Sequence, residues 1–157
     1  AEVTMRKQDT DRLAEALADV IWELGARGLD GFCCAELSLV EFHALRRLQR
    51  AGHLSVQDLG ADAGLTKSGA TRLVDRLEAR GFLRRERSDA DGRVCCVVAS
   101  ATGEAALARA REAFGGRLGT ALAGLDAAER RHLVAVLPRL AAAVRQPAPG
   151  ACCVPLE

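Results

Sequence analysis

All six cysteines of this sequence stand in adjacent pairs, Cys33-Cys34, Cys95-Cys96 and Cys152-Cys153. Scattered cysteines read as small buried hydrophobes, but strict pairing at three places is hard to ascribe to packing. Structural zinc fits poorly, because its ligand cysteines stand about two to four residues apart so that the chain can turn around a tetrahedral ion. Adjacent thiolates suit soft, low-coordinate centres instead. Cuprous ion follows from ligand softness, and the same chemistry extends to trivalent arsenic or antimony and to mercuric ion. A trigonal As–S3 site takes both sulfurs of one pair and a third from another element. On a strand Cys95 and Cys96 face opposite ways, so only one of them joins an inward-facing site. The last pair follows Pro147-Ala148-Pro149-Gly150, and an extended chain from Pro147 to Cys153 reaches about 20 Å, enough to close over another element or a partner subunit. Oxidant sensing is the competing thiol chemistry, through sulfenic acid and then disulfide. A bond within one adjacent pair closes a cramped ring, which favours disulfides between pairs. A third reading leaves the cysteines as bystanders to a small-molecule effector.

A second set of chemically capable residues is basic. Residues 66–93 carry eight basic side chains (Lys67, Arg72, Arg76, Arg80, Arg84, Arg85, Arg87, Arg93) against five acidic ones, whereas residues 1–36 carry four basic against eight acidic. The formal net charge of +1 conceals this asymmetry. Arginine, with its planar fork, suits phosphate and guanine better than lysine does. A solvated helical face is the plain alternative.

Those residues need elements to hold them. Leu13, Leu17, Val20, Ile21 and Leu24 recur on one helical face, before a stretch with Gly25, Gly28 and Gly31. Ser38 opens a second helix with Glu41 as its capping-box partner and Leu39, Phe42, Leu45 and Leu48 as apolar positions; Ala51-Gly52 stops it. Ser55 with Asp58 starts a short third helix that ends at Gly64. Thr66 begins a fourth, with Ala70, Leu73, Val74 and Leu77 inward and Gly81 as its stop. Two short helices joined around a glycine form a helix-turn-helix signature. The period then changes: 82–87 and 94–98 flank an Asp91-Gly92 turn and read as a β-hairpin. Thr102 is expected to cap an Ala-rich fifth helix. Asp126 with Glu129 opens a sixth, which Pro138 should kink.

The expected fold is mainly α, a winged helix-turn-helix core with a small β wing flanked by N- and C-terminal dimerisation helices. Residues 1–146 form one domain: the DNA-binding winged helix at about 38–101, arms at about 8–30 and 102–146, and a flexible Cys-containing tail at 147–157. The arms are too narrow to bury their apolar stripes within one chain. They predict a homodimer that sets two reading heads on double-stranded DNA.

With 49% hydrophobic and 27% charged residues, the chain is no disordered tail, and its cysteines are too sparse for a disulfide scaffold. No stretch reaches the roughly 18 apolar residues of a membrane helix, and charges at Arg6, Lys7, Asp9, Asp11 and Arg12 break up any signal-peptide core. The expected setting is the cytoplasm, with thiols reduced and no membrane partner. No GxSxG, HExxH, phosphate-binding glycine loop or Ser/His/Asp arrangement occurs, so no enzyme is expected; a Cys-dependent hydrolase or reductase is the remote alternative. No obligatory cofactor is expected.

The stretches LSLVEFHALRRL and LGADAGLTKSGATRLVDRLEARGFLRRERSDADGRVCCVVASATGEAAL resemble the MarR (multiple antibiotic resistance regulator) family of bacterial transcription regulators. The resemblance runs from about Leu13 to about Val144 and is most specific across SGATRLVDRLEARGFLRR. It implies a dimeric repressor whose fourth helix reads DNA. Thr66, Lys67, Ser68, Thr71 and Arg72 then enter the major groove, with Arg72 on a base, ideally guanine, and Arg76 on a phosphate. Arg93 at the wing tip probes the minor groove, and Asp91 orients it or braces the wing. Gly92 departs from the family pattern, which often carries another basic residue there. The cysteine pairs and the Pro/Cys tail also lie outside that pattern. The resemblance makes Cys33-Cys34, between the first two helices, the favoured effector site. His43, on the second helix, is either a mixed ligand or an ordinary partly buried or surface histidine; His53 and His132 are structural. The expected mechanism is release from a pseudo-palindromic operator when the cysteine pairs bind As(III), Cu(I) or Hg(II).

Overall fold

A computed structural model describes residues 6–24, 32–87 and 95–145. The chain divides into two compact units at Gly115–Gly116, inside its fifth helix.

The first unit opens with α1 (Lys7–Leu24), whose amphipathic stripe is left uncovered: no α1 residue is buried, and Leu13, Val20, Ile21 and Trp22 are exposed. Strands β1 (Phe32–Cys34) and β2 (Leu37–Ser38) form a short antiparallel pair. Helix α2 (Leu39–Ala51) then starts on the predicted capping box. The Glu41 N–H donates to Ser38 Oγ at 3.2 Å and the Ser38 N–H donates to Glu41 Oε2 at 2.9 Å, satisfying two otherwise orphaned donors. After β3 (Leu54–Ser55), Ser55 caps α3 (Val56–Asp62) by accepting from the Asp58 N–H at 3.0 Å. Gly64, at φ 65°, makes the left-handed turn that an L side chain resists. Helix α4 (Lys67–Ala79) follows. The α3–α4 crossing is close: a Cβ on Gly60 would stand 2.4 Å from Ala70 Cβ, so glycine is what lets the two short helices meet.

The predicted hairpin is β4 (Leu83–Arg87) and β5 (Cys95–Ala99), in register from Leu83↔Ala99 to Arg87↔Cys95. β5 is the central strand of three, because β3 pairs on its other edge with Leu54↔Val97 and Ser55↔Cys96. The wing is thus tied into the start of the helix-turn-helix. Helix α5 (Ala101–Leu122) is capped by Ser100, not by the predicted Thr102. Ser100 Oγ accepts from the Gly103 N–H at 3.0 Å, and the chain is already helical at Ala101. Two neighbouring hydroxyl residues competed for one cap, and the first of them holds it.

The core of this unit joins Leu37, Leu45 and Leu48 to Leu59 of α3, to Leu73, Val74 and Leu77 of α4, to Val97 of β5 and to Ala106, Leu107 and Ala110 of α5. Each fully buried leucine contributes about 1.5–3 kcal/mol.

The second unit contains the end of α5 and α6 (Ala127–Arg145). Asp126 and Glu129 form the predicted capping box, with the Glu129 N–H donating to Asp126 Oδ1 at 2.8 Å and the Asp126 N–H to Glu129 Oε2 at 2.8 Å. α6 is assigned as one helix through Pro138. Val134, Val136, Leu137 and Val144 are exposed on it.

Candidate nucleic-acid interface

Helix α4 has two faces. Ala70, Leu73, Val74 and Leu77 are buried, while Lys67, Ser68, Thr71, Arg72, Asp75 and Arg76 are exposed. The buried side fixes the helix on the core and leaves the other side for a partner.

At its N-terminus Thr66 is the cap, its Oγ1 accepting from the Gly69 N–H at 3.2 Å and lying 3.3 Å from Ser68 Oγ. Thr71 Oγ1 donates back to the Lys67 carbonyl at 3.1 Å. These hydroxyls hold the first turn in shape and leave a preorganised helix end whose dipole favours anions. The side chains of Lys67 and Arg72 have no ion pair or hydrogen-bond partner among the described residues, and both extend into solvent. Among the described residues they are the two cations of α4 that carry no such partner.

The other arginines divide by partner. Arg76 Nε lies 3.0 Å from Glu41 Oε1, and Arg80 Nη1 lies 3.2 Å from both Glu41 oxygens. Arg80 also donates to the Glu36 carbonyl at 2.8 Å and sits 4.5 Å from the Phe82 ring centroid. Arg80 is therefore a latch within the fold, and the alternative of a uniformly solvated Arg72–Arg76–Arg80 face does not describe it. Arg84 pairs with Glu86 at 2.6 Å; Arg85 is half-buried and pairs with Asp75 at 2.5 Å and with Glu78. Both carboxylates of that second pair lie on α4, so Arg85 ties the first wing strand to the candidate reading helix. The side chain of Arg87, and Asp91 and Arg93 altogether, lie outside the described residues.

The glutamate at 41 was legible as a cap but not as the centre of a cluster. Its near-complete burial at 2% exposure is the signal that separates the two roles, and burial of a charge demands the partners it has.

Of the cysteines, the backbone of Cys33 and Cys34 lies in β1 and that of Cys95 and Cys96 opens β5. Cys96 is half-buried beside the fully buried Val97. The side chains of Cys33, Cys34 and Cys95, and all of Cys152 and Cys153, lie outside the described residues. Among the described residues no three His, Cys, Asp or Glu side chains come together as a metal cluster.

A cleft of about 410 Å³ opens between α2, the end of α3 and α5, lined by Leu39, Phe42, His43, Arg46, Asp62 and Phe114 among others. The Phe42 and Phe114 ring centroids are 6.3 Å apart, and Arg46 stands over Phe42 with Nη2 at 3.5 Å from His43 Nδ1. His43 is half-buried in this cleft.

Residues 37–95, from the first residue of β2 to the start of β5, match the model of the MarR family. The chain is 27% identical over 107 residues, 68% of its length, to the uncharacterised HTH-type transcriptional regulator YdgJ of Bacillus subtilis. It spans 36% and 65% of the lengths of the two curated relatives it matches. Among solved structures it is similar to the transcriptional regulator BldR of Sulfolobus solfataricus at 25% identity and a TM-score of 0.66, covering 88% of this chain and 99% of that one. It also shares the fold of Bordetella bronchiseptica BpsR, described as regulated in its DNA binding by 6-hydroxynicotinic acid, at 21% identity, TM-score 0.58, and coverage of 86% and 99%. No helix among the described residues is long and apolar enough to cross a membrane.

Proposed function

We propose that this chain is a winged helix-turn-helix regulator of the MarR family, a homodimeric repressor that reads a pseudo-palindromic operator with the exposed N-terminal face of α4. The observation that carries this reading is the pair of unpartnered cations, Lys67 and Arg72, on a capped helix whose opposite face is sealed into the core. A bidentate arginine–guanine pair is worth about 1–3 kcal/mol. Arg72→Ala is therefore expected to weaken specific binding about 5- to 150-fold per half-site, with dimerisation unchanged; unaltered operator affinity in that variant would remove Arg72 from the interface.

Two copies are needed because one helix-turn-helix reads only a half-site. The uncovered stripes of α1 and α6 support a helical dimer interface, and Ile21 and Trp22, each about two-thirds exposed, are its best anchors on α1. Replacing both with Asp is expected to raise the dimer dissociation constant about 100-fold or more. Sedimentation at micromolar concentration checks this, and a variant that stays dimeric would place the interface elsewhere.

For the effector we propose capture of a soft ion, As(III), Cu(I) or Hg(II), by the cysteine pairs, with Cys33-Cys34 in β1 as the primary site. Support comes from the strict pairing of all six cysteines and from the position of β1, immediately ahead of the α2 capping box. An ion that favours the non-binding dimer about 100-fold supplies roughly 2.7 kcal/mol, enough for a switch. Cys33→Ser/Cys34→Ser is expected to abolish release of DNA by arsenite or cuprous ion while leaving operator affinity intact. Unchanged release would exclude this pair. Oxidant sensing by the same thiols predicts release by peroxide and recovery with dithiol.

The cleft favours a second reading, in which a small molecule is the effector and the cysteines are bystanders. Its aromatic walls and Arg46 suit a flat organic acid. Release of DNA by 6-hydroxynicotinate or benzoate, but not by thiophilic ions, would select that reading.

A further inference from the structure

The Glu41 carboxylate has more partners than helix capping requires. Oε2 accepts from the Ser38 N–H at 2.9 Å, and Arg80 Nη1 lies 3.2 Å from both oxygens. Arg80 is itself fixed by the Glu36 carbonyl and the Phe82 ring. One buried negative charge is thereby neutralised by one positive charge held in place. Arg76 is then surplus to neutralisation. Its Nε lies 3.0 Å from Oε1, and its side chain keeps 58% of its exposure.

A guanidinium carries five N–H donors in one plane. Ion pairing at 3.0 Å with a buried, anchored carboxylate restrains that plane while more than half of the side chain stays exposed. Arg76 stands one helical turn beyond Arg72, about 40° from it around α4, and both are exposed. We propose that Glu41 is a positioning residue for DNA binding, holding the Arg76 guanidinium in the orientation in which it meets a backbone phosphate. The proposal rests on the reading of α4 as the DNA-reading helix. A free arginine gives up its rotamer freedom on docking; Arg76 has given it up on folding. The cluster of Glu41, Arg76 and Arg80 is net positive, so a phosphate approaching Arg76 meets attraction despite the carboxylate beneath it.

The test is a double-mutant cycle in DNA affinity, using a fluorescein-labelled duplex enriched from a random library by the parent chain. Glu41→Gln, Arg76→Ala and the double variant are compared by anisotropy, with thermal melts to set conditions where all are folded. Ordering one side chain is worth about 2- to 12-fold in affinity, so Glu41→Gln is expected to weaken binding by that factor per recognition helix. In the Arg76→Ala background the same change is expected to do nothing further, because the side chain it orients is gone. Equal losses in both backgrounds mean a merely structural role for Glu41 and overturn the proposal.

Arg76→Lys, at an exposed position, tests the same claim without touching the buried carboxylate. A single Nζ cannot serve Glu41 and a phosphate with the geometry of a planar fork, so this variant is expected to bind as weakly as Arg76→Ala. Parent-like affinity with lysine overturns the proposal, since a point charge then suffices. A parent chain that enriches no duplex overturns the reading of α4 itself, a failure distinct from either of these.

Discussion

Gly103→Ala is expected to destabilise the first unit by about 3 kcal/mol, at the upper end of what overpacking costs. A Cβ at this position would lie 1.9 Å from the Phe82 carbonyl oxygen and 2.8 Å from the carbonyl carbon, both backbone atoms that no side-chain rotation can move aside. Relief requires α5 to retreat from the chain entering β4. That retreat breaks the Ser100 N–H bond to the Phe82 carbonyl at 3.0 Å and the Ser100 hydroxyl bond to the Gly81 carbonyl at 2.5 Å. It also pulls Ala106, Leu107 and Ala110 out of a core in which all three are buried. For a chain of this size the expected fall in melting temperature is about 6–12 °C. Gly115→Ala is the control: it lies in the same helix with no atom near its added Cβ among the described residues, and helix propensity alone predicts a gain of up to about 1 kcal/mol. Circular dichroism melts of the two variants decide the matter. Equal melting temperatures would mean that the α5–Phe82 contact is not made in solution.

Glu41→Ala is expected to cost about 3 kcal/mol for a different reason. Removing one partner of a buried ion pair costs more than the pair contributed, because the remaining charge keeps its desolvation and loses its compensation. Arg80 is left with the Glu36 carbonyl and the Phe82 ring, and the Ser38 N–H at the start of α2 loses its acceptor. Partial exposure of Arg80, at 29%, lets water recover some of this and holds the figure at the low end of the range for buried pairs. Urea denaturation checks it through the midpoint, at unchanged slope. A variant within about 0.5 kcal/mol of the parent would show that Ser38, Glu41 and the two arginines do not form one network in solution.

Much of this was legible beforehand because the signals were local. Ser38-x-x-Glu41, Ser55-x-x-Asp58 and Asp126-x-x-Glu129 each place an acceptor three residues before a partner, and all three occur as helix starts. The core of α4 follows from spacing alone, since Ala70, Leu73, Val74 and Leu77 can share only one face of a helix. Strands β1, β2 and β3 were not legible. They are two or three residues long, too short for any alternation to register, and their pairing partners are distant in sequence for β3. The cap of α5 failed by two residues because Ser100 and Thr102 carry the same chemistry, and only the Phe82 and Gly81 carbonyls, nineteen residues or so back in the chain, favour Ser100. At the candidate interface, Arg72, Arg76 and Arg80 look alike in the sequence, at a four-residue repeat. What distinguishes them is a carboxylate on another helix, which pairs with two and leaves the third to solvent. The Cys pairs are conspicuous in composition and depend for their chemistry on sulfur positions that no spacing rule supplies.

Two copies of α4 are expected to read DNA of defined sequence. Selection of duplexes from a random library with the purified chain, followed by anisotropy on the enriched sequence, tests this. The expected result is enrichment of an inverted repeat whose half-sites lie about 10–10.5 base pairs apart, or a multiple of that. Affinity should fall steeply with salt, and Arg72→Ala should lose the preference for that repeat while keeping weak, salt-sensitive binding. Enrichment of no sequence, or of one that Arg72→Ala binds as tightly as the parent chain, would contradict it.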